Sequence, residues 1–191
     1  RENEHNSCIV ASHEECCIKK FVDIIEEVRV IFKDSDKGME LVGFITFTLF
    51  NLSLVWEIPP ILHENGVGGL FLNMLSIEAI SDSLLEVVKE DQADPEESWY
   101  SRQLGELYES ILCGVMRMVQ RPEVAYDLRY NYMGVEIMSQ YFKYQSTKNY
   151  PNSEAKGCNM LRAAIAIAFM TGSDEGNCLL QSNPEIAEDL I

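Results

Sequence analysis

The chain has 191 residues, 47% of them hydrophobic and 24% charged, a balance that suits one folded domain with a substantial core and excludes a disordered chain. Its 15 basic residues face 31 acidic ones, a net charge of −16, which disfavours nucleic acid as a partner and favours proteins with a basic surface. The 6 cysteines (Cys8, Cys16, Cys17, Cys113, Cys158 and Cys178) lack the spacing of a disulfide framework and follow no signal peptide, so reduced thiols and a cytoplasmic location are expected.

Residues 1–15 are polar at the start and are expected to be flexible. Ile18, Phe21, Val22, Ile25, Val28 and Phe32 then recur at steps of three and four, the pattern of an amphipathic helix. A turn is expected over 34–38, and a second helix runs from there to about Ser53. Apolar residues cover nearly all sides of that helix, which predicts a central position. Its uncharged stretch, 41–56, includes Gly43, Thr46, Thr48, Asn51 and Ser53 and falls short of the ~20 residues a membrane span requires. A buried helix is therefore expected, with no membrane partner.

Pro59-Pro60 suits the first turn of a short helix, Asn65-Gly66 breaks it, and 67–76 forms another. Residues 77–97 read as an inserted helix followed by an acidic loop around Pro95. A long helix covers 99–120, Pro122 starts the next, Gly134 breaks it, and 135–144 follows. After a polar loop at 146–153, a helix over 154–171 is rich in small residues (Ala163, Ala164, Ala166, Ala168) that permit close approach. Short helices are expected after Asp174 and Pro184. The pattern predicts an all-α chain forming a single domain over 1–191. It begins at Arg1 and ends on Leu190-Ile191 within an apolar helical pattern, as expected of a piece of a longer stacked protein.

The order of these elements repeats. Residues 49–76 run helix end, loop, short helix, Asn-Gly break, apolar helix; residues 115–142 follow the same order, with Gly134 matched to Gly66. Residues 167–191 follow it a third time, with Asn183-Pro184 at the break. The first copy, through Leu49, Asn51, Leu52, Ser53, Ile61, Leu62, Gly66, Leu70, Leu72 and Leu75, resembles the armadillo (HEAT-like) repeat. The resemblance implies a right-handed α-solenoid of about three imperfect three-helix units. The spacing from Gly66 to Gly134 exceeds the roughly 40–47 residues of such repeats, and the 77–97 insertion accounts for the excess.

In peptide-carrying members of that family, tryptophans and asparagines line the concave helices. Here Phe47 stands four residues before Asn51 in place of the tryptophan, and the matching later positions fall near Met118 and Phe169. The ladder is missing, so recognition on that face would rest on apolar and aromatic contacts.

Other constellations are weaker. His5, Cys8, His13, Cys16 and Cys17 invite a zinc reading, but in one straight helix the two His–Cys pairs lie about 12 Å apart, too far for one ion. No metal ligands are assigned. Gly66-Val67-Gly68-Gly69 lacks the lysine and hydroxyl of a phosphate loop. No nucleophile elbow occurs, and His63 beside Glu64 reads as a solvated turn. No catalytic residue and no cofactor is assigned, and the chain is expected not to be an enzyme. Tyr126, Tyr130, Tyr132, Tyr141, Phe142, Tyr144 and Tyr150, with Arg121, Arg129 and Lys143, concentrate rings and positive charge in an acidic chain. Tyrosine and arginine dominate binding hot spots.

Two functional expectations follow. The first is a protein-binding scaffold or adaptor segment acting through an acidic helical-repeat surface, with Phe47, Asn51, Arg121, Tyr126, Arg129 and Tyr130 as candidate contacts. The second is a regulatory armadillo domain that senses a nucleotide-like small ligand and controls an attached effector domain. The resemblance permits it, since some armadillo domains are joined to NAD-cleaving effectors.

Overall fold

The computed structural model describes residues 15–31, 36–76, 99–147 and 153–182. Among these every regular element is an α-helix. Helix α1 (Glu15–Ile31) buries Ile18, Val22, Ile25 and Val28 along one stripe, as the spacing predicts. Helix α2 (Asp36–Ser53) begins inside the expected turn, so Asp36, Lys37 and Gly38 are helical.

Helix α2 is apolar nearly all round, yet it is not the centre of the molecule. Val42, Ile45, Leu49 and Leu52 face the core, while Leu41, Phe44 and Phe47 are exposed, as is Leu54 just past its end, Phe44 by 72%. Hydropathy reports how apolar a face is, not whether anything in the chain covers it. The buried centre is α4 (Val67–Leu75), whose Val67, Leu70, Phe71, Leu72, Met74 and Leu75 all lie in the core. Its close docking on α5 (Trp99–Met118) depends on Gly114, because a Cβ there would stand 2.5 Å from the Phe71 ring.

Between α2 and α4 lies the short α3 (Ile58–Glu64), with proline in its first turn, where the missing N–H costs no helical bond. Gly66 then takes φ 88°, the left-handed conformation that ends α3 and aims the chain into α4. A second left-handed position falls on a different residue. After α6 (Pro122–Asn131), Met133 holds φ 53°, and Gly134 is the first residue of α7 (Gly134–Thr147). Gly134 is therefore not the left-handed break. It is small because a Cβ would lie 2.8 Å from both the Leu128 carbonyl oxygen and Met170 Sδ. Helix α7 also runs further than expected, into the loop assigned to 146–153.

Helix α8 (Ser153–Ser182) kinks at Gly172, where φ is 74° and ψ 167°. Ahead of the kink, Ala163 and Ala166 are fully buried and Thr171 donates its hydroxyl to the Ile167 carbonyl oxygen (2.8 Å).

The contacts between helices have a regular order. Helix α2 packs along α5, α3 against α6 and α4 against α7, so each element touches the one three places later in the chain. Helix α8 packs on α5, α6 and α7. No helix among the described residues is long and apolar enough to cross a membrane. The inserted helix and acidic loop of 77–97, the His/Cys residues before Glu15, Tyr150 and the third break at Asn183-Pro184 lie outside the described residues.

Candidate interaction surface

Two contacts tie the loop and short helix before α4 to those before α7. Trp56, between α2 and α3, lies under Arg121, between α5 and α6. The Arg121 Cζ sits 4.7 Å from the Trp56 ring centroid, and its Nη1 donates to the Trp56 carbonyl oxygen at 3.5 Å. The remaining guanidinium nitrogens serve Glu123: Nε and Nη2 are each 3.1 Å from Oε1. Glu123 is held below the ordinary glutamate range, first by a hydrogen bond to its own backbone N–H and then by Arg121.

The second tie joins α3 to α6. His63 Nε2 and Asp127 Oδ2 are 2.6 Å apart, with 12% of the histidine side chain and 35% of the aspartate side chain exposed. Asn131 Nδ2 donates to the other Asp127 oxygen. These bonds hold the Asp127 carboxyl below its ordinary range, the Asn131 bond contributing most and His63 next. The imidazole and the Tyr132 ring also meet in a T-shaped arrangement, with centroids 5.8 Å apart.

The glycines that open α4 make room for this cluster. A Cβ at Gly68 would be 2.6 Å from His63 Nδ1, and one at Gly69 would be 2.4 Å from Tyr132 Cε1. The Gly-rich segment thus accommodates two rings. The expectation of a solvated His63 is corrected: it is mostly buried and bonded to Asp127 of α6. A histidine acting as base needs one nitrogen held and the other facing substrate. Here Nε2 meets the carboxylate and Nδ1 is buried without a partner, so the pair joins helices and offers no nitrogen to a substrate.

Beside this cluster opens a shallow cleft of about 340 Å³ lined by Pro60, His63, Glu64, Glu123, Val124, Asp127 and Tyr132. Three of these are acids, and one of the three, Glu123, is matched by Arg121. An aromatic ridge stands on the same helix, α6, as Glu123, Val124 and Asp127 of the lining. Tyr126 and Tyr130 stand one turn apart on α6 with ring centroids 4.6 Å apart, exposed by 66% and 56%. The Arg129 guanidinium lies 4.7 Å over the Tyr130 ring.

The six residues singled out in the sequence fall into two groups. Tyr126, Arg129 and Tyr130 come together on α6, and Arg121 sits just before them against Trp56. Phe47 and Asn51 stand on the exposed face of α2, where Asn51 Nδ2 donates back to the Phe47 carbonyl oxygen at 2.9 Å. The wider aromatic set does not form one patch either. Tyr126, Tyr130 and Tyr132 are exposed, whereas Tyr141 and Phe142 are in the core. Sequence reasoning missed Trp56, Glu64 and Asp127, although each lies in or beside the element order that revealed the repeat. Among the thiols, Cys113 is raised above its ordinary range by burial, which keeps it protonated and unreactive. No family model, curated protein or solved structure matches the chain.

Proposed function

We propose that the chain is a segment of an armadillo-like α-solenoid that serves as a cytoplasmic scaffold, binding a protein partner through its aromatic surface. The observation that carries this reading is the exposure of large apolar side chains in groups: Tyr126, Tyr130, Tyr132 and Met133 around α6, and Leu41, Phe44 and Phe47 on α2. Grouped apolar residues rimmed by charge mark interaction sites more often than isolated ones do. The stacking of α2, α3 and α4 on α5, α6 and α7 supports the solenoid part of the proposal.

The rival reading, a regulatory domain that senses a nucleotide, has less support at this surface. Two of the cleft's three carboxylates belong to Glu64 and Asp127, and Arg121 is committed to Glu123 and Trp56, so an entering phosphate meets net negative charge. The two readings separate in a capture experiment with three baits: the wild-type chain, a Tyr126→Ala/Tyr130→Ala variant and a Phe44→Ala/Phe47→Ala variant. A protein retained by the wild type and lost with either exposed pair supports the scaffold. A nucleotide that co-purifies equally with all three, without a protein, supports the sensor.

A further inference from the structure

The exposed face of α6 carries two chemistries in one register. Glu123, Tyr126, Asp127 and Tyr130 fall at i, i+3, i+4 and i+7, so the tyrosine ridge and the acid-lined cleft are one continuous surface. Its charges are not balanced within the described residues. Arg121 neutralises Glu123, and Asp127 is held as a carboxylate by Asn131 and His63. Glu64, exposed on the α3 side of the cleft, has no cation partner among the described residues.

We infer that this surface, which rests on the protein-binding reading above, takes a basic segment of the partner. A lysine or arginine side chain enters between Glu64 and Asp127, and the segment's apolar neighbours lie on Tyr126 and Tyr130. Charge complementarity selects this occupant: the entering head meets two carboxylates and the Tyr132 ring, which attracts a cation to its face. The net charge of −16 steers the same segment inward from a distance. An acidic or phosphorylated segment would meet repulsion from both sources.

The test is fluorescence anisotropy on the full chain, using as probe a labelled nonapeptide of alternating leucine and lysine and its counterpart with norleucine at every lysine. At low salt the lysine peptide is expected to bind roughly tenfold tighter, an advantage lost at high salt. Glu64→Gln should weaken the lysine peptide at least threefold and leave the norleucine peptide unchanged. Glu136→Gln, an exposed acid on α7 outside the cleft, removes the same charge and should change neither. The inference is overturned if Glu136→Gln weakens the lysine peptide as much as Glu64→Gln, because the attraction is then diffuse. It is also overturned if the two peptides bind the wild type equally. Equal binding that disappears with Tyr126→Ala/Tyr130→Ala removes the cation cleft and leaves the aromatic surface standing. The protein-binding reading fails separately, when neither exposed pair matters to partner capture.

Discussion

Positions where one atom decides the geometry cluster at the breaks between helices. Gly66 and Met133 do the same backbone job at φ 88° and φ 53°, but only Gly66 does so without a Cβ. Left-handed backbone costs an ordinary residue about 1–2 kcal/mol, and Met133 is exposed, so its side chain returns little packing. Met133→Gly is therefore expected to stabilise the fold by up to about 1 kcal/mol, read as a raised urea midpoint with an unchanged slope. Gly68→Ala should act in the opposite direction. Its Cβ would crowd the buried His63 ring at 2.6 Å and Leu128 Cδ2 at 2.9 Å, an overpacking worth about 1–3 kcal/mol in the same experiment. The bonds of Asp127 to Asn131 and then to His63 carry a pH signature. The folded carboxyl titrates below its ordinary range, so its stabilisation is complete above the unfolded pKa and drains away as pH falls through the lowered folded value. Asp127→Asn should lower Tm at neutral pH, and the gap from wild type should close as both are melted at progressively more acidic pH. A gap independent of pH would assign the loss to packing alone. This tie was not legible in the sequence, because His63 and Asp127 lie 64 residues apart and meet only when α3 packs against α6.

Elements were legible where a period or a breaker was present. Ile18, Val22, Ile25 and Val28 identified α1, the Pro59-Pro60 pair opened α3, and Pro122 opened α6. The role of each helix was less legible. Both α2 and α4 are strongly apolar, and only packing distinguishes them: α4 is buried along most of its length, while α2 leaves Phe44 and Phe47 uncovered. The centre of the molecule is thus a nine-residue helix rather than the longer one before it. Phe71, fully buried where α4 meets Gly114 of α5, is the contact on which that arrangement turns. Phe71→Ala should cost about 3–5 kcal/mol in chemical denaturation. Phe44→Ala, the same deletion at an exposed site, should change stability by no more than about 0.5 kcal/mol. A large loss at Phe44 would mean that the outer face of α2 is covered in solution, and it would then cease to be a candidate docking face.

At the scale of the whole molecule, one quantity pulls stability and binding in opposite directions. With 31 acidic against 15 basic residues, the folded chain holds its charges closer together than the unfolded chain does, so self-repulsion opposes folding. The ion pairs among the described residues do little to offset this. Lys19–Asp23 and Arg121–Glu123 are partly exposed, as is Arg162–Glu109, and such pairs contribute roughly 0–1 kcal/mol each. Salt screens repulsion over a Debye length that shrinks from about 30 Å at 0.01 M to about 10 Å at 0.1 M. Tm is therefore expected to rise as sodium chloride is added over that range and then to level off, as measured by calorimetry. A basic partner drawn in by the same acidic surface should respond with the reverse sign, its affinity falling over the same salt range. The paired measurement is informative because a general effect of salt on the fold would move both quantities together. Rising Tm with falling affinity assigns both effects to the acidic surface. Falling Tm with added salt would mean that favourable ion pairs outweigh self-repulsion, and the net charge would then no longer be available as the force that selects a basic partner.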